Sequence, residues 1–206
     1  MTHGDQDAHP AKASGRTRRG RQNGTVPADP SLDPARTRLR PAIEADADRI
    51  AELHVVGWQD YRALLPAAFV DDPGRRAGAL ARWRSQLRHY TDEAGGVRVW
   101  VAELDGRVAG FTSFGPCLDP GLTSANELID LWVDPERRGL GLGSRLVELV
   151  LSELPRPVVV WVLRGNERAA ALYRRFGAQH TAVQRTETIS EFGGFDIVDQ
   201  LLVVHS

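Results

Sequence analysis

The sequence predicts an α/β (α+β) domain that begins near residue 37, and three observations carry this prediction. Segments with helical and strand periodicity alternate from residue 37 to the end of the chain. Two alternating apolar segments flank the pair Asp105-Gly106, which is typical of a two-residue β-hairpin turn. A glycine-rich turn joins a predicted strand directly to a predicted helix near residue 141.

The first half of the domain is predicted to be mainly helical. A short strand at 37–42 precedes a helix at 46–56, whose Ile50, Leu53 and Val56 share one face. Further helices are predicted at 58–65 and 75–90, separated by Pro66 and by a turn at 71–74.

Strands dominate the second half of the domain. The predicted strands lie at 97–104, 107–114, 126–133, 158–163, 179–188 and 195–204, and the predicted helices at about 141–154 and 168–176. No internal repeat interrupts this order.

Composition limits the class of protein. The chain has 206 residues, 42% hydrophobic and 26% charged, which is typical of a folded globular protein. Its 26 basic and 27 acidic residues give a net charge of -1, so neither nucleic acid nor an acidic membrane is expected as a partner. The single cysteine, Cys117, excludes an intramolecular disulfide and suits a reducing compartment.

The N-terminal region differs from the rest of the chain. Residues 1–36 consist mainly of Asp, Gly, Ala, Pro, Arg and Thr, so we expect a disordered tail before a domain at 37–206. This tail holds Lys12, the only lysine. No apolar run reaches the roughly 18 residues of a membrane span, and no signal-peptide apolar region is visible. We therefore expect a cytoplasmic protein.

The glycine-rich turn at 133–144 is the most informative segment. Glycines at 139, 141 and 143 let a ligand approach the backbone, and the amides at the start of a helix favour a phosphate. The spacing fits neither the dinucleotide fingerprint nor the nucleotide P-loop. The turn thus predicts an anion cradle, with simple packing of helix on strand as the alternative.

Two linked motifs resemble the GCN5-related N-acetyltransferase (GNAT) superfamily. Arg138, Gly141 and Gly143 stand at the positions of its arginine/glutamine-x-x-glycine-x-glycine signature, and residues 166–177 are similar to the pattern on its next helix. The resemblance covers residues 37–206. It implies a single domain with a mixed, mostly antiparallel sheet of about seven strands flanked by helices.

The resemblance also implies a binding site for acetyl-coenzyme A as co-substrate. Backbone amides of the turn would hold the pyrophosphate, Asn166 would contact the pantetheine arm, and a backbone amide within 131–133 would serve as oxyanion donor. Capping of a helix is a second role open to Asn166. The residues expected to bind the coenzyme are Leu131, Trp132, Val133, Arg138, Gly139, Leu140, Gly141, Leu142, Gly143, Ser144, Asn166 and Tyr173.

Two residues are candidates for acid–base catalysis. Tyr173 matches the position where many family members place a general acid, and a phenol pKa of about 10 lies above the thiol value of about 8.5. Glu127 is the candidate base, because strict alternation would put residues 127, 129, 131 and 133 on one face. Ring packing for Tyr173, and an exposed or acceptor-binding charge for Glu127, are the alternatives.

The acceptor pocket has three candidate residues. His54, Trp58 and Tyr61 lie where the family's first two helices wall the acceptor, although such residues at helical spacing also pack cores. No histidine or carboxylate cluster has zinc-ligand spacing, so no metal is expected.

These observations favour an N-acetyltransferase that moves acetyl from acetyl-coenzyme A to a primary amine of a small molecule, directly within a ternary complex. A non-catalytic acyl-coenzyme A sensor and a protein N-terminal acetyltransferase are the alternatives. Family members often form homodimers through late strands, which the apolar run 201–204 permits, but an interior strand explains that run equally well.

Overall fold

The computed structural model describes residues 36–89, 96–117, 119–122 and 125–205. The predicted disordered tail lies outside the described residues, except for Arg36. None of the described helices combines the length and the apolar character that a membrane crossing requires.

Seven strands form one sheet within the described residues, which confirms the predicted fold class. They are β1 Thr37–Pro41, β2 Arg98–Leu104, β3 Arg107–Pro116, β4 Asn126–Val133, β5 Val158–Leu163, β6 Gln179–Ile189 and β7 Phe195–Val204. The strand order is β1-β2-β3-β4-β5-β7-β6, and only the β4–β5 pair is parallel. Because β7 lies between β5 and β6, the apolar run 201–204 is part of an interior strand.

In the described part of the chain, five α-helices flank this sheet. They are α1 Ala47–Trp58, α2 Ala67–Val70, α3 Gly74–His89, α4 Leu142–Glu153 and α5 Glu167–Arg174. The predicted helix at 58–65 is wrong, because α1 extends to Trp58 and only a short 3-10 turn, Gln59–Tyr61, follows it. Pro66 disfavours helical geometry in the residue before it and instead precedes α2.

The helices cover opposite faces of the sheet. On one face, α1 and α3 pack through Ile50 and Trp83 against Phe111 of β3. On the other face, α4 and α5 pack through Val150 and Tyr173 against the central strands. Each fully buried large apolar side chain stabilises the fold by about 1.5–3 kcal/mol. The sheet therefore lies between a layer of α1 and α3 and a layer of α4 and α5.

A β-bulge changes the alternation of β4. Ser113 pairs with Asp130 and Phe114 pairs with Leu128, so Ile129 is an extra residue on β4. Leu128 packs with the α4 and α5 cluster. The residues after the bulge therefore point to the opposite face of the sheet from the one that uninterrupted alternation would give them.

The bulge overturns one expectation for β4. Leu131 packs on the α4 and α5 face, like Leu128, so Glu127 points to the opposite face from Leu131. The prediction that residues 127, 129, 131 and 133 share a face is wrong for this reason. A single extra residue leaves no mark on the hydrophobic pattern of so short a strand.

The parallel pair β4–β5 is joined only at its beginning. Asn126 pairs with Val158 and Glu127 pairs with Val159, and no later residues of the two strands pair. Because β4 continues to Val133, the strands diverge and leave a gap at their carboxyl ends. Such an edge is a common place for ligands in sheets with parallel strands.

Candidate active site

A cavity of about 850 Å³ occupies the gap between β4 and β5. Its lining includes the glycine turn on the α4 and α5 face and Tyr61, Trp132 and Trp161 on the other face. The cavity therefore passes through the sheet. Its volume is typical of sites for small molecules and cofactors.

The glycine turn forms one wall of this cavity. Gly139 and Gly141 have φ values of 78° and 76°, in the left-handed region that favours glycine, and Gly141 is the N-cap of α4. The first amides of a helix have no partner within the helix and lie at its positive end. The turn can therefore bind an anion through its backbone.

Nearly all residues predicted to bind the coenzyme line this cavity. They are Leu131, Trp132, Val133, Arg138, Gly139, Gly141, Leu142, Gly143, Ser144, Asn166 and Tyr173. The exception is Leu140, which packs in the cluster around Leu142 and Leu146 instead.

Arg138 is held by Asp60, a pairing that the sequence motifs do not indicate. Its Nη1 and Nη2 atoms donate to the Asp60 carboxylate at 2.9 and 2.6 Å. Arg168 of α5 donates to the same carboxylate at 2.7 Å. Two arginines on one carboxylate leave a net positive charge, and both arginines line the cavity. These contacts join distant parts of the chain, so local motifs carry no signal for them.

Asn166 caps α5 and reaches the opposite wall of the cavity. Its Oδ1 accepts a hydrogen bond from the Ala169 amide at 3.1 Å. Its Nδ2 donates to the Tyr61 hydroxyl at 3.4 Å. Asn166 therefore connects the helix start to a predicted acceptor residue.

Two tyrosines meet at the cavity. Burial raises the pKa of Tyr173, and the nearby Tyr61 and Asp130 raise it further. Burial also raises the pKa of Tyr61 to about 12, and the charge of Asp60 adds to that effect. Both hydroxyls therefore keep their protons near neutral pH.

The two carboxylates of β4 lie in different places. Glu127 is buried, with 4% exposure, at the closed end of the gap and does not line the cavity. Asp130 lines the cavity, and its Oδ2 accepts hydrogen bonds from Ser113 at 2.7 Å and Arg82 at 3.0 Å. Because of the bulge, Asp130 lies on the same face of the sheet as Glu127. Uninterrupted alternation would have put Asp130 on the opposite face from Glu127.

His54 and Trp58 do not line the cavity, whereas Tyr61 does. The Nδ1 atom of His54 accepts a hydrogen bond from the Trp83 indole at 3.1 Å. Its ring packs near those of Trp58 and Trp132, and burial lowers the pKa of His54 to about 4. His54 is therefore a neutral, packed histidine behind the aromatic wall.

The buried state of His54 predicts a loss of stability in mild acid. As the pH falls below 6.5, His54 becomes protonated in the unfolded chain, whereas in the folded chain it stays neutral until about pH 4. We expect the free energy of unfolding to drop by about 2 kcal/mol between pH 7.5 and pH 5 from this group. Urea unfolding of His54→Gln should show a weaker pH dependence than the parent. The exposed His180→Gln is the matched control, and an equal change in both variants would contradict the assignment.

Gly57 allows Trp132 to reach the cavity wall. A Cβ at Gly57 would lie 2.0 Å from the Trp132 ring. We expect Gly57→Ala to cost about 1–3 kcal/mol of stability and to lower kcat/KM, because the indole must move. Thermal unfolding and steady-state assays measure both effects. The control is Gly78→Ala on α3, where no atom lies within 4 Å and the helix should gain stability.

Among the described residues, no group of three or more His, Cys, Asp or Glu side chains could hold a metal ion.

Comparison with protein families identifies a match over most of the domain. A model described as the acetyltransferase (GNAT) family matches residues 58–178. A protein named as a probable N-acetyltransferase from Mycobacterium tuberculosis is 25% identical over 146 residues, which cover 70% of this chain and 80% of that protein.

Two further relatives match over a smaller part of their length. A mycothiol acetyltransferase of Geodermatophilus obscurus is 34% identical over 100 residues, or 46% of this chain and 32% of that protein. A mycothiol acetyltransferase of Acidothermus cellulolyticus is 32% identical over 121 residues, or 56% of this chain and 36% of that protein. The chain thus spans about a third of each mycothiol acetyltransferase.

Solved structures with the same fold include complexes with the coenzyme. The protein yncA of Salmonella typhimurium, solved with its cofactor acetyl-CoA, has a TM-score of 0.57 and 22% identity, covering 82% of this chain and 94% of that one. The paia N-acetyltransferase of Thermoplasma acidophilum, in complex with coenzyme A, has a TM-score of 0.59 and 13% identity, covering 82% and 99%. At these identities, the likeness establishes the fold.

Proposed function

The chain belongs to the acetyltransferase (GNAT) family, and on that premise we propose that it transfers acetyl from acetyl-coenzyme A to a primary amine of a small molecule. The observation that carries the proposal is the cavity through the β4–β5 gap. Its lining residues come from both faces of the sheet, with Tyr173 and Leu172 on the α5 side and Trp132 on the α1 side. A donor can therefore enter from the α4 side and an acceptor from the α1 side, and the two reacting groups can meet in the gap.

The residues of the α4 side suit the coenzyme. In this proposal, backbone amides of the 139–143 turn would bind the pyrophosphate, and Arg138 and Arg168 add positive charge on the same cavity wall. The bound thioester supplies the acetyl group. Near Leu131, β4 pairs with β3 but not with β5. Backbone amides on this open edge could donate to the thioester carbonyl oxygen, which gains negative charge during transfer.

The residues of the α1 side suit an amine. Asp130 lines the cavity together with the aromatic residues Tyr61, Trp132 and Trp161. A carboxylate attracts an ammonium group and can accept its proton, which frees the nitrogen lone pair. Asp130 lines the cavity and Glu127 does not, so we favour Asp130 as the group that contacts the amine. Glu127 remains a candidate base through an intervening water.

Tyr173 is proposed as the general acid. Its raised pKa keeps a proton available, and it lies on the cavity wall in the first helix after β5. Because a thiolate has a lower proton affinity than a phenolate in such a site, the Tyr173 proton moves as the carbon–sulfur bond breaks, and the phenolate then takes up the proton that the acceptor nitrogen loses on forming the amide. Asn166 supports this arrangement by holding the start of α5.

Direct transfer in a ternary complex is proposed rather than transfer through a cysteine. Cys117 does not line the cavity, and its pKa is raised, first by burial and further by Glu127. A raised pKa leaves less of the thiolate that an acetyl-cysteine intermediate would need.

The test is thiol release from acetyl-coenzyme A across a panel of amino acids, polyamines, amino sugars, aminoglycosides and short peptides. A Lys12→Arg background removes the only lysine, so acetylation of the enzyme's own lysine cannot contribute to the signal. Release that depends on small amines supports the proposal. Release with peptides alone favours an N-terminal acetyltransferase, and coenzyme binding without any turnover favours a sensor. A larger kcat/KM loss in Asp130→Asn than in Glu127→Gln supports the placement of the amine.

A further inference from the structure

One carboxylate that follows α1 holds two arginines of the coenzyme side. Asp60 lies in the short 3-10 turn Gln59–Tyr61, directly after α1. Its two oxygens accept from Nη1 and Nη2 of Arg138 in a bidentate pair, and its Oδ2 also accepts from Arg168. A bidentate pair fixes the relative orientation of its partners. Because Asp60 does not itself line the cavity, it acts there through the two arginines.

The neighbouring Tyr61 makes a second connection from the same turn. Tyr61 lines the cavity and packs against Trp132, with ring centroids 5.8 Å apart. Its hydroxyl accepts from Nδ2 of Asn166, the N-cap of α5, at 3.4 Å. The turn Gln59–Tyr61, which supplies part of the acceptor wall, is therefore bonded both to the glycine turn and to the start of α5.

The same contacts set the charge of the wall that would face the coenzyme. Arg138 and Arg168 both line the cavity, and Asp60 neutralises one of their two positive charges. The side chains of Asp60 and Arg138 are 26% and 25% exposed, so solvent screens this pair only in part. Asp60 thus weakens the attraction of this wall for a phosphate. That charge gives coenzyme binding no advantage, which points to a role for Asp60 in placing the acceptor wall.

We propose that Asp60 is a positioning residue that couples the two halves of the site: through Arg138 and Arg168 it holds the acceptor wall at Tyr61 in place beside the bound coenzyme. The inference rests on the proposed function and adds a coupling between the two substrates to it. Coenzyme bound at the two arginines steadies the turn Gln59–Tyr61. By linkage, an acceptor bound against that turn raises the affinity for the coenzyme.

Asp60→Asn separates this role from a purely structural one. The amide keeps the size of the side chain and removes its charge and one acceptor oxygen. At low ionic strength we expect the Kd for coenzyme A to fall about threefold, because both arginines regain their full charge, and this gain to shrink at high salt. With the amine of the panel that is acetylated fastest, the acceptor KM should rise about tenfold at saturating acetyl-coenzyme A. General damage to the fold would instead weaken the binding of both substrates.

Two further variants show whether the ion pair is the cause. Arg138→Gln should also raise the acceptor KM, and the double variant with Asp60→Asn should be no worse than the poorer single variant, because the two side chains act as a unit. Asp48→Asn is the matched control. Asp48 of α1 also pairs with one arginine, Arg84 at 2.9 Å, and lies outside the cavity wall. It should leave both constants unchanged, and thermal unfolding checks the fold of every variant.

A second readout does not require turnover. Trp58 lies outside the cavity wall but packs on Tyr61, with ring centroids 5.3 Å apart. Coenzyme A should shift the indole N–H resonance of Trp58 in wild type, and much less in Asp60→Asn. A resonance that stays in place in wild type, an equal shift in both proteins, weaker coenzyme binding in Asp60→Asn or an unchanged acceptor KM would overturn the inference. If no amine is acetylated, the proposed function fails, while the titration and the resonance still decide the coupling.

Discussion

Replacing Tyr173 with phenylalanine is expected to lower kcat about a hundredfold or more and to leave the Kd for acetyl-coenzyme A close to that of wild type. General acid catalysis contributes roughly 10²- to 10⁴-fold, and this substitution removes only the proton donor. The ring stays in the core formed by α4, α5 and the central strands, so the fold should tolerate the change. Steady-state kinetics and calorimetric titration of the coenzyme measure the two quantities.

Tyr61→Phe is the matched control for this prediction. Tyr61 also lines the cavity and also has a raised pKa, but it lies on the acceptor side, where its hydroxyl accepts from Asn166. Its loss should raise the acceptor KM more than it lowers kcat. A Tyr173→Phe enzyme with wild-type kcat would refute the general-acid role. A hundredfold lower kcat in Tyr61→Phe alone would move that role to Tyr61.

Replacing Gly141 with glutamate should weaken coenzyme binding at least a hundredfold. The side chain would stand at the N-cap of α4, on the cavity wall, and its charge would repel a phosphate. The left-handed backbone, with φ of 76°, adds a stability cost of about 1 kcal/mol for a non-glycine residue. Titration with coenzyme A measures the affinity, and circular dichroism checks that the variant is folded.

Gly106→Glu separates backbone strain from loss of the cradle. Gly106 has a φ of 75° and no atom within 4 Å of an added Cβ, and it lies in the hairpin turn between β2 and β3. Both variants should lose similar stability. Only Gly141→Glu should lose affinity for the coenzyme. Similar affinity in the two variants would show that the turn is not the phosphate cradle.

The sequence predicts those parts of the fold that depend on neighbouring residues. Gly106 ends a two-residue turn with positive φ, and Gly141 begins a helix in the same region of φ, as the glycine pattern indicates. Each of these depends on a few consecutive positions, and the strand and helix order follows from periodicity. The same local logic places Asn166 at the start of α5, where it forms the predicted cap.

The parts of the site that depend on distant contacts could not be predicted in this way. Asp60 meets Arg138 and Arg168 only because three separate elements converge at the cavity. Asp130 reaches the cavity because of a bulge whose partner strand is β3, so the sequence of β4 alone does not reveal it. These contacts form only in the tertiary structure, and neither the hydrophobic pattern nor residue propensities of a local segment specify them.

The gap between β4 and β5 also has a thermodynamic consequence. Among the residues that the structure describes, two residue pairs are the whole strand pairing between the half-sheet β1–β4 and the half-sheet β5–β7–β6. A ligand that fills the gap contacts both halves at once, so its binding energy opposes their separation and adds to the stability of the native state by linkage. Amide hydrogens of β4 beyond Glu127 and of β5 beyond Val159 should then exchange more slowly with solvent when the coenzyme is bound. The melting temperature should rise with its concentration.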